Sequence, residues 1–220
     1  MLIIAIPKSA STSLLKTLGK IHNLKTIQSN KFQNNAKPDG TIVLHKYHTD
    51  VRRIGKQNID KFNNSEIIYK QHIYPSENNQ LLLKSVKKVV LLRDPKEVIL
   101  AYRRGIKKKV HNNVEGFSEG MSENEWLKGA DNIGLTSDLN NFFNLWKKNR
   151  DEFTLIVHYD RLISNPTNEI NRIEDFFNLR RTDYKVKLSK KRYTRQSKVK
   201  IAISNMTLKF KRFIVGLLNP

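Results

Sequence analysis

The chain has no cysteine, which excludes a disulfide framework, a thiol nucleophile and any zinc or iron–sulfur site built on thiolates. That composition fits a reducing compartment, and a cytoplasmic location is expected. Acids are scarce beside bases: 20 Asp and Glu against 41 Lys and Arg leave a formal charge of +21. Such an imbalance favours anionic partners, among them nucleotides, nucleic acids, phosphorylated or sulfated glycans and acidic membranes. Part of it has a blander origin. Lys, Asn and Ile are abundant together, a bias that AT-rich coding produces without selection, and surface charge runs are commonly just solvated. Long apolar runs are missing as well. No stretch reaches the ~20 residues that a membrane-spanning helix needs. Leu2 to Ile6 is apolar but short, has no basic region before it and runs into Pro7-Lys8, unlike a signal peptide; it reads as a buried strand.

The 220 residues, 38% of them hydrophobic, suffice for one domain over 1–220, with a basic C-terminal segment at 180–220 too close to the rest to stand apart. Short apolar runs bounded by polar segments predict interior strands at Leu2 to Ile6, Val89 to Leu92 and Phe153 to Val157, with weaker ones at Thr41 to Leu44 and Glu66 to Tyr69. Helical spacing marks Ser11 to Lys20, Pro95 to Arg104, Leu135 to Arg150 and Pro166 to Phe177. Strands alternating with helices imply a three-layer α/β fold, a central parallel sheet flanked by helices. Ile106 to Gly134, with Gly116, Gly120, Gly129 and Gly134 amid charges, is expected to be loop or mobile helix over a site. Leu208 to Leu218 mixes apolar residues with Lys209, Lys211 and Arg212. It reads as a terminal helix docked on the core, or as a basic amphipathic helix making peripheral membrane contact.

Two motifs carry chemistry. Strand Leu2 to Ile6, then Pro7-Lys8-Ser9-Ala10-Ser11-Thr12, then a helix from about Ser13, gather backbone N–H groups, hydroxyls and an ammonium around one point, as a phosphate or sulfate requires. The G-x-x-x-x-G-K-[ST] spacing of a Walker loop is absent. Alone, a Ser/Thr run before a helix also serves as a plain N-cap. The second motif, Lys88 to Val98, is a buried strand ending in Arg93 and turning through Asp94-Pro95 into a helix. Arg93 is thereby put at the carboxyl edge of the sheet, where open α/β sheets bind ligands. A guanidinium there grips a second phosphate in bidentate fashion, so the ligand has two anionic ends.

With these motifs in place, the sequence resembles the sulfotransferases that use 3′-phosphoadenosine-5′-phosphosulfate (PAPS) and release adenosine 3′,5′-bisphosphate (PAP), a family with a P-loop-NTPase-like fold. Four stretches in order carry the resemblance. The Pro7 to Thr12 loop is similar to the 5′-phosphosulfate loop, and Arg93 to Val98 to the 3′-phosphate strand and helix. Lys70-Gln71-His72-Ile73-Tyr74-Pro75 resembles the segment that supplies a catalytic histidine. Val157-His158-Tyr159-Asp160-Arg161-Leu162, with Asn165-Pro166 and Phe176 to Leu179, resembles a tyrosine-acidic-leucine helix block. The resemblance implies that Lys8 neutralises charge on the leaving oxygen, that Ser9, Ser11, Thr12 and their amides hold the 5′ end, and that Arg93 binds the 3′-phosphate. It further implies that Tyr159 addresses adenine, His72 takes the acceptor proton and Lys70 orients the transferred group, with no metal required.

The chain departs from the family at three donor-site positions. Ala10 and Ser13 stand where many members have glycine and tryptophan, and Ala101 stands where a serine hydroxyl would meet the 3′-phosphate; Arg103 or Arg104 would then substitute. The late glycine-rich donor loop is replaced by Lys190 to Lys198, whose Arg192 and Arg195 either close over the 3′-phosphate or form a basic tail. For the base, His48 in Lys46-Tyr47-His48, with His45 beside it, and Glu66 are alternatives to His72. The acceptor is a hydroxyl or amine of a small molecule or a glycan. Two rival readings remain. One is a binder of nucleic acid or anionic polymer, for Lys107-Lys108-Lys109 and Arg180 to Lys200, although no specific nucleic-acid module is present. The other is a phosphoryl-transfer kinase, without the Walker spacing or an evident acidic magnesium ligand.

Overall fold

The computed structural model describes residues 1–28, 54, 56, 59–107 and 117–189. Five strands form one parallel sheet: β1 (Leu2–Ala5), β2 (Lys25–Ile27), β3 (Ile67–Gln71), β4 (Lys88–Leu92) and β5 (Thr154–His158), in the spatial order β2-β3-β1-β4-β5. β1 lies at the centre, with Ile3 beside Lys70 of β3 on one side and beside Val89 of β4 on the other. A strand with neighbours on both edges and helices on both faces has no wet surface, and every residue of β1 and β4 is buried. This is why these strands are continuous apolar runs.

The period of two decides the layers. Leu2 and Ile4 of β1 and Val90 and Leu92 of β4 face a cluster that includes Leu83, Ile99, Trp126, Phe142 and Trp146. Ile3 and Ala5, with Val89 and Leu91, face the other way, onto Leu14, Leu18, Leu162, Ile170 and Ile173. One face is therefore covered by α3 (Glu77–Leu83), α4 (Pro95–Lys107), α5 (Glu123–Asn132) and α6 (Leu135–Lys148), with the short α2 (Ile59–Phe62) adding Phe62. The opposite face carries α1 (Ser11–Ile21), α7 (Tyr159–Ser164) and α8 (Pro166–Phe177). The expected three-layer fold is found. α1 can turn back to β2 because Gly19 lies at the join, where a Cβ would sit 2.3 Å from Thr26 Cγ2.

Several expectations need correction. The strand expected at Glu66 to Tyr69 runs instead from Ile67 to Gln71, so Lys70 lies inside β3. β2, α2 and α3 went unforeseen, being three to seven residues long, whereas α7 falls in the helix block that the resemblance implied at Tyr159 to Leu162. Within Ile106 to Gly134 the chain forms α5, closed by a capping box at Ser122 and Glu125. Its Trp126 is buried 4.3 Å from the Phe117 ring. That helix packs on α4 and α6 and lines no part of the cavity described below. Thr41 to Leu44 and Leu208 to Leu218 lie outside the described residues. No helix among the described residues is long and apolar enough to cross a membrane.

Beyond α8 the chain continues to Ser189 without helix or strand, held by polar contacts. Glu174 has no exposed surface, yet its carboxylate accepts from the Thr182 backbone N–H at 2.9 Å and from Thr182 Oγ1 at 2.5 Å, and pairs with His22 Nε2 at 3.0 Å. Further on, the Val186 N–H donates to Thr167 Oγ1 at 3.0 Å and the Ser189 N–H to Thr17 Oγ1 at 2.9 Å. Part of the basic segment is thus laid along α8 and α1. Glu174→Ala would strand a buried amide and a hydroxyl; we expect it to lower stability by about 3 kcal/mol, measured from urea unfolding. A loss below ~1 kcal/mol would show that the segment is not held this way.

Candidate active site

In a parallel sheet all carboxyl ends lie on one edge, and here each strand delivers the chain beyond that end to one hollow. Gln28 follows β2, His72 follows β3, Arg93 follows β4, Tyr159 follows β5, and β1 leads into the loop from Pro7. Together with Lys70, Ala101 and Tyr102 these residues line a cavity of about 450 Å³. Its lining includes three cations and no carboxylate.

The loop is built for an anion. Lys8 and Ala10 both adopt left-handed backbone, at φ 71° and φ 60°, a conformation that costs a residue with a Cβ about 1 to 2 kcal/mol. Strain of this kind persists where the surroundings over-determine it, often at binding sites. Ala10 is the N-cap of α1 and offers no side-chain acceptor, and the first turn holds no acidic residue. The Ser/Thr run therefore does not cap the helix in the ordinary way. Ser11 is the first helical residue, and the positive end of the helix dipole is left to the cavity, which Ser11, Thr12 and Ser13 line.

Arg93 joins this loop to β4. Its Nη1 donates to the Lys8 carbonyl at 2.5 Å, and its Nη2 pairs with Glu97 at 3.2 Å. Its Cζ lies 3.9 Å from the Tyr159 ring centroid. The side chain is only 8% exposed, yet Nε is buried without a partner. An ionised donor left in that state costs roughly 1 to 3 kcal/mol or more, and a ligand acceptor in the cavity would remove the penalty. The sequence-predicted 3′-phosphate arginine thus fits an anionic group.

His72 lies across the hollow. Its Nδ1 is 2.5 Å from the Ala5 carbonyl oxygen. A carbonyl only accepts, so Nδ1 carries the hydrogen and, in the neutral ring, Nε2 carries the lone pair. The chain after it is pinned: Trp146 Nε1 donates to the Ile73 carbonyl at 3.3 Å, Asn79 Nδ2 to Tyr74 at 2.8 Å and Gln80 Nε2 to Pro75 at 2.6 Å. Burial, with the Asp138 carboxylate second, pushes the Tyr74 hydroxyl above its ordinary pKa. Lys70 is 6% exposed, and its ammonium lies 3.5 Å from Thr12 Oγ1, which is 3.5 Å from Gln28 Oε1. The Lys8 ammonium sits over the Tyr102 ring, 4.6 Å from its centroid, a cation–π contact.

Of the expected site residues, Lys8, Ala10, Ser11, Thr12, Ser13, Lys70, His72, Arg93, Ala101 and Tyr159 all meet at this cavity. Ser9 does not line it: the residue is fully buried and its hydroxyl has no partner. Glu66 precedes β3 at the opposite edge of the sheet and is exposed, about 16 Å of strand from the hollow, so it is not the base. His45, His48, Arg192 and Arg195 lie outside the described residues. Arg103 turns away from the site to Glu123 and the Met121 carbonyl, whereas Arg104 shares Glu97 with Arg93. Gln28 and Tyr102 went unforeseen. Gln28 follows a three-residue strand without an apolar run, while Tyr102, beside Ala101 on α4, could have been found from helical spacing. Among the described residues no cluster of His, Asp or Glu could hold a metal ion.

A family model described as "Sulfotransferase domain" matches residues 1–215. In fold the chain is similar to a mouse sulfotransferase complexed with PAP, at TM-score 0.53 and 13% identity over 93% of this chain and 63% of that one. A sulfotransferase from Alicyclobacillus acidocaldarius gives 0.51 and 13%, over 94% and 90%. Retinol dehydratase, in complex with androsterone and inactive cofactor PAP, gives 0.52 and 17%, over 96% and 64%. The chain therefore spans less than two thirds of the mouse protein and of retinol dehydratase. No curated protein matches the sequence.

The left-handed backbone at Ala10 explains why glycine suits this position in the resembling loop. Ala10→Gly is expected to raise stability by about 0.5 to 1 kcal/mol, the relieved strain exceeding the entropy glycine adds to the unfolded chain. Thermal unfolding measures it, and a lower midpoint would contradict the strain.

Proposed function

Because the chain belongs to the sulfotransferase family, whose domain match covers residues 1–215, we propose that it transfers a sulfuryl group from PAPS to a hydroxyl or amine of an acceptor molecule. The observation that carries this reading is the joint between Arg93 and the Lys8 carbonyl, beside a helix N-terminus without a side-chain cap and a buried Nε without a partner. Two anion sites fixed to each other suit a ligand with two anionic ends.

The donor supplies an activated sulfuryl group bonded through oxygen to phosphorus. The protein's share is to hold charge and to place the nucleophile. Lys8 and the amides from Ser9 to Ser13 take the 5′ end, and Lys8 offsets the charge that collects on the leaving oxygen. Arg93 takes the 3′-phosphate through Nε and the remaining Nη hydrogens, and Tyr159 offers its ring to the base. His72 receives the acceptor proton at Nε2, the atom left basic by the Nδ1 bond to Ala5. Lys70, held near Thr12, orients the transferred group. Arg192 and Arg195, outside the described residues, either close over the same 3′-phosphate or belong to a basic tail. No metal is needed for these steps.

For the acceptor, retinol dehydratase holds androsterone, a hydroxyl-bearing small molecule, and the same class is proposed here. The net charge of +21 keeps an anionic glycan in the panel. A cytoplasmic location fits the absence of cysteine.

Titration calorimetry with PAP and with ATP tests donor binding. PAP should bind and ATP should not, and Arg93→Ala should weaken PAP by about 100-fold. With radiolabelled donor and a panel of phenols, sugars and lipids, Lys8→Ala should abolish transfer. His72→Ala should lower kcat by about 10² to 10⁴ while PAP affinity stays unchanged. Equal binding of ATP would contradict the donor assignment, and full turnover of the histidine variant would contradict the base.

A further inference from the structure

Glu97 poses a problem for an anion site. Its carboxylate lies 3.2 Å from Arg93 Nη2, and a carboxylate there cancels the charge that an incoming phosphate would meet while adding repulsion of its own. The same oxygen, Oε2, is also 3.3 Å from Arg104 Nη2. Glu97, Ala101 and Arg104 follow one another at helical spacing along α4, on one stripe, and Ala101 opens into the cavity. The burial of the two cations differs greatly. Arg93 is 8% exposed and its guanidinium is held by the Lys8 carbonyl and the Tyr159 ring, whereas Arg104 and Glu97 are each 45% exposed and have room to move.

We infer that Arg104 is a positioning residue that works as the alternative counter-ion of Glu97. When a phosphate enters and takes the fork of Arg93, Glu97 leaves Arg93 and is satisfied by Arg104 alone. The three side chains carry a net single positive charge, so this exchange leaves a full cation for the ligand without leaving the carboxylate unpaired. The inference rests on the proposed donor reading, for it supposes that Arg93 binds the 3′-phosphate. Arg104 touches neither the donor nor the reacting atoms in this account; it acts through Glu97.

A double-mutant cycle separates this role from direct contact. The probes are PAP and AMP, which differ by the 3′-phosphate, each titrated calorimetrically into the full chain. Arg104→Gln should weaken PAP by about three- to fivefold, the scale of a half-exposed ion pair, and leave AMP unchanged. Glu97→Gln should tighten PAP by a similar factor, about three- to fivefold, again without effect on AMP. In the Glu97→Gln background, Arg104→Gln should alter PAP affinity by less than about twofold, because the carboxylate it served is gone. The same loss in both backgrounds would mean that Arg104 meets the phosphate itself, and would overturn the inference. Weaker PAP binding in Glu97→Gln would overturn it as well. A wild-type chain that binds PAP no better than AMP overturns both the inference and the donor reading, so the two failures are told apart.

Discussion

The bond from Arg93 to the carbonyl of Lys8 is the contact on which the rest of the site depends. It is made by a side chain from the end of β4 and a backbone oxygen from the turn after β1, and the strands are paired along the whole length of β1. The sheet register therefore sets how far apart the two cations stand. Lys8 is in left-handed backbone where its carbonyl meets Arg93, and its ammonium lies over Tyr102.

The two edges of the sheet treat buried charge in opposite ways. At the amino edge, Lys88 donates to the Leu83 and Val86 carbonyls and to Asp151. Burial pulls its ammonium below the ordinary lysine pKa, and Asp151 works against that shift. Every hydrogen of that ammonium has an acceptor, and the lysine closes the end of α3. At the carboxyl edge, Arg93 keeps a buried N–H without one. A cation with every donor satisfied suits a structural role, and one with a buried donor left over suits the proposed binding role. Next to Tyr159 in the chain, His158 is held below its ordinary pKa first by burial and then by Arg161 and Lys147.

Much of the fold was legible because the buried parallel strands are short, unbroken apolar runs. β1, β4 and β5 were found within a residue or two, and α8 to the residue, since Pro166 at its start and left-handed Asn178 at its end mark both boundaries. β2 was not legible: it is an edge strand whose Lys25 and Thr26 are exposed, and register with β3, not composition, makes it a strand. α3 was not legible either: its seven residues carry little periodic signal and depend on the Ser76 cap. In the site, the residues that directly follow strands were legible because position along a strand implies the edge. Gln28 was hidden with β2. The buried Ser9 hydroxyl and the pairing of Glu97 with two arginines depend on side-chain packing, which spacing alone does not encode. Resemblance to a family supplied roles for Lys70, His72 and Tyr159, and the geometry supplied a reason for one of them in the Nδ1 bond of His72.

In the proposed reaction the early turn and the end of β4 hold opposite ends of one nucleotide. The most direct measurement is a crystal structure of the full chain grown with adenosine 3′,5′-bisphosphate. The account predicts the 5′-phosphate against the amides of Ser9 to Ser13 and the 3′-phosphate on Arg93 Nε, with adenine beside Tyr159. A nucleotide bound elsewhere, or one whose 3′-phosphate leaves Arg93 Nε without a partner, would contradict it.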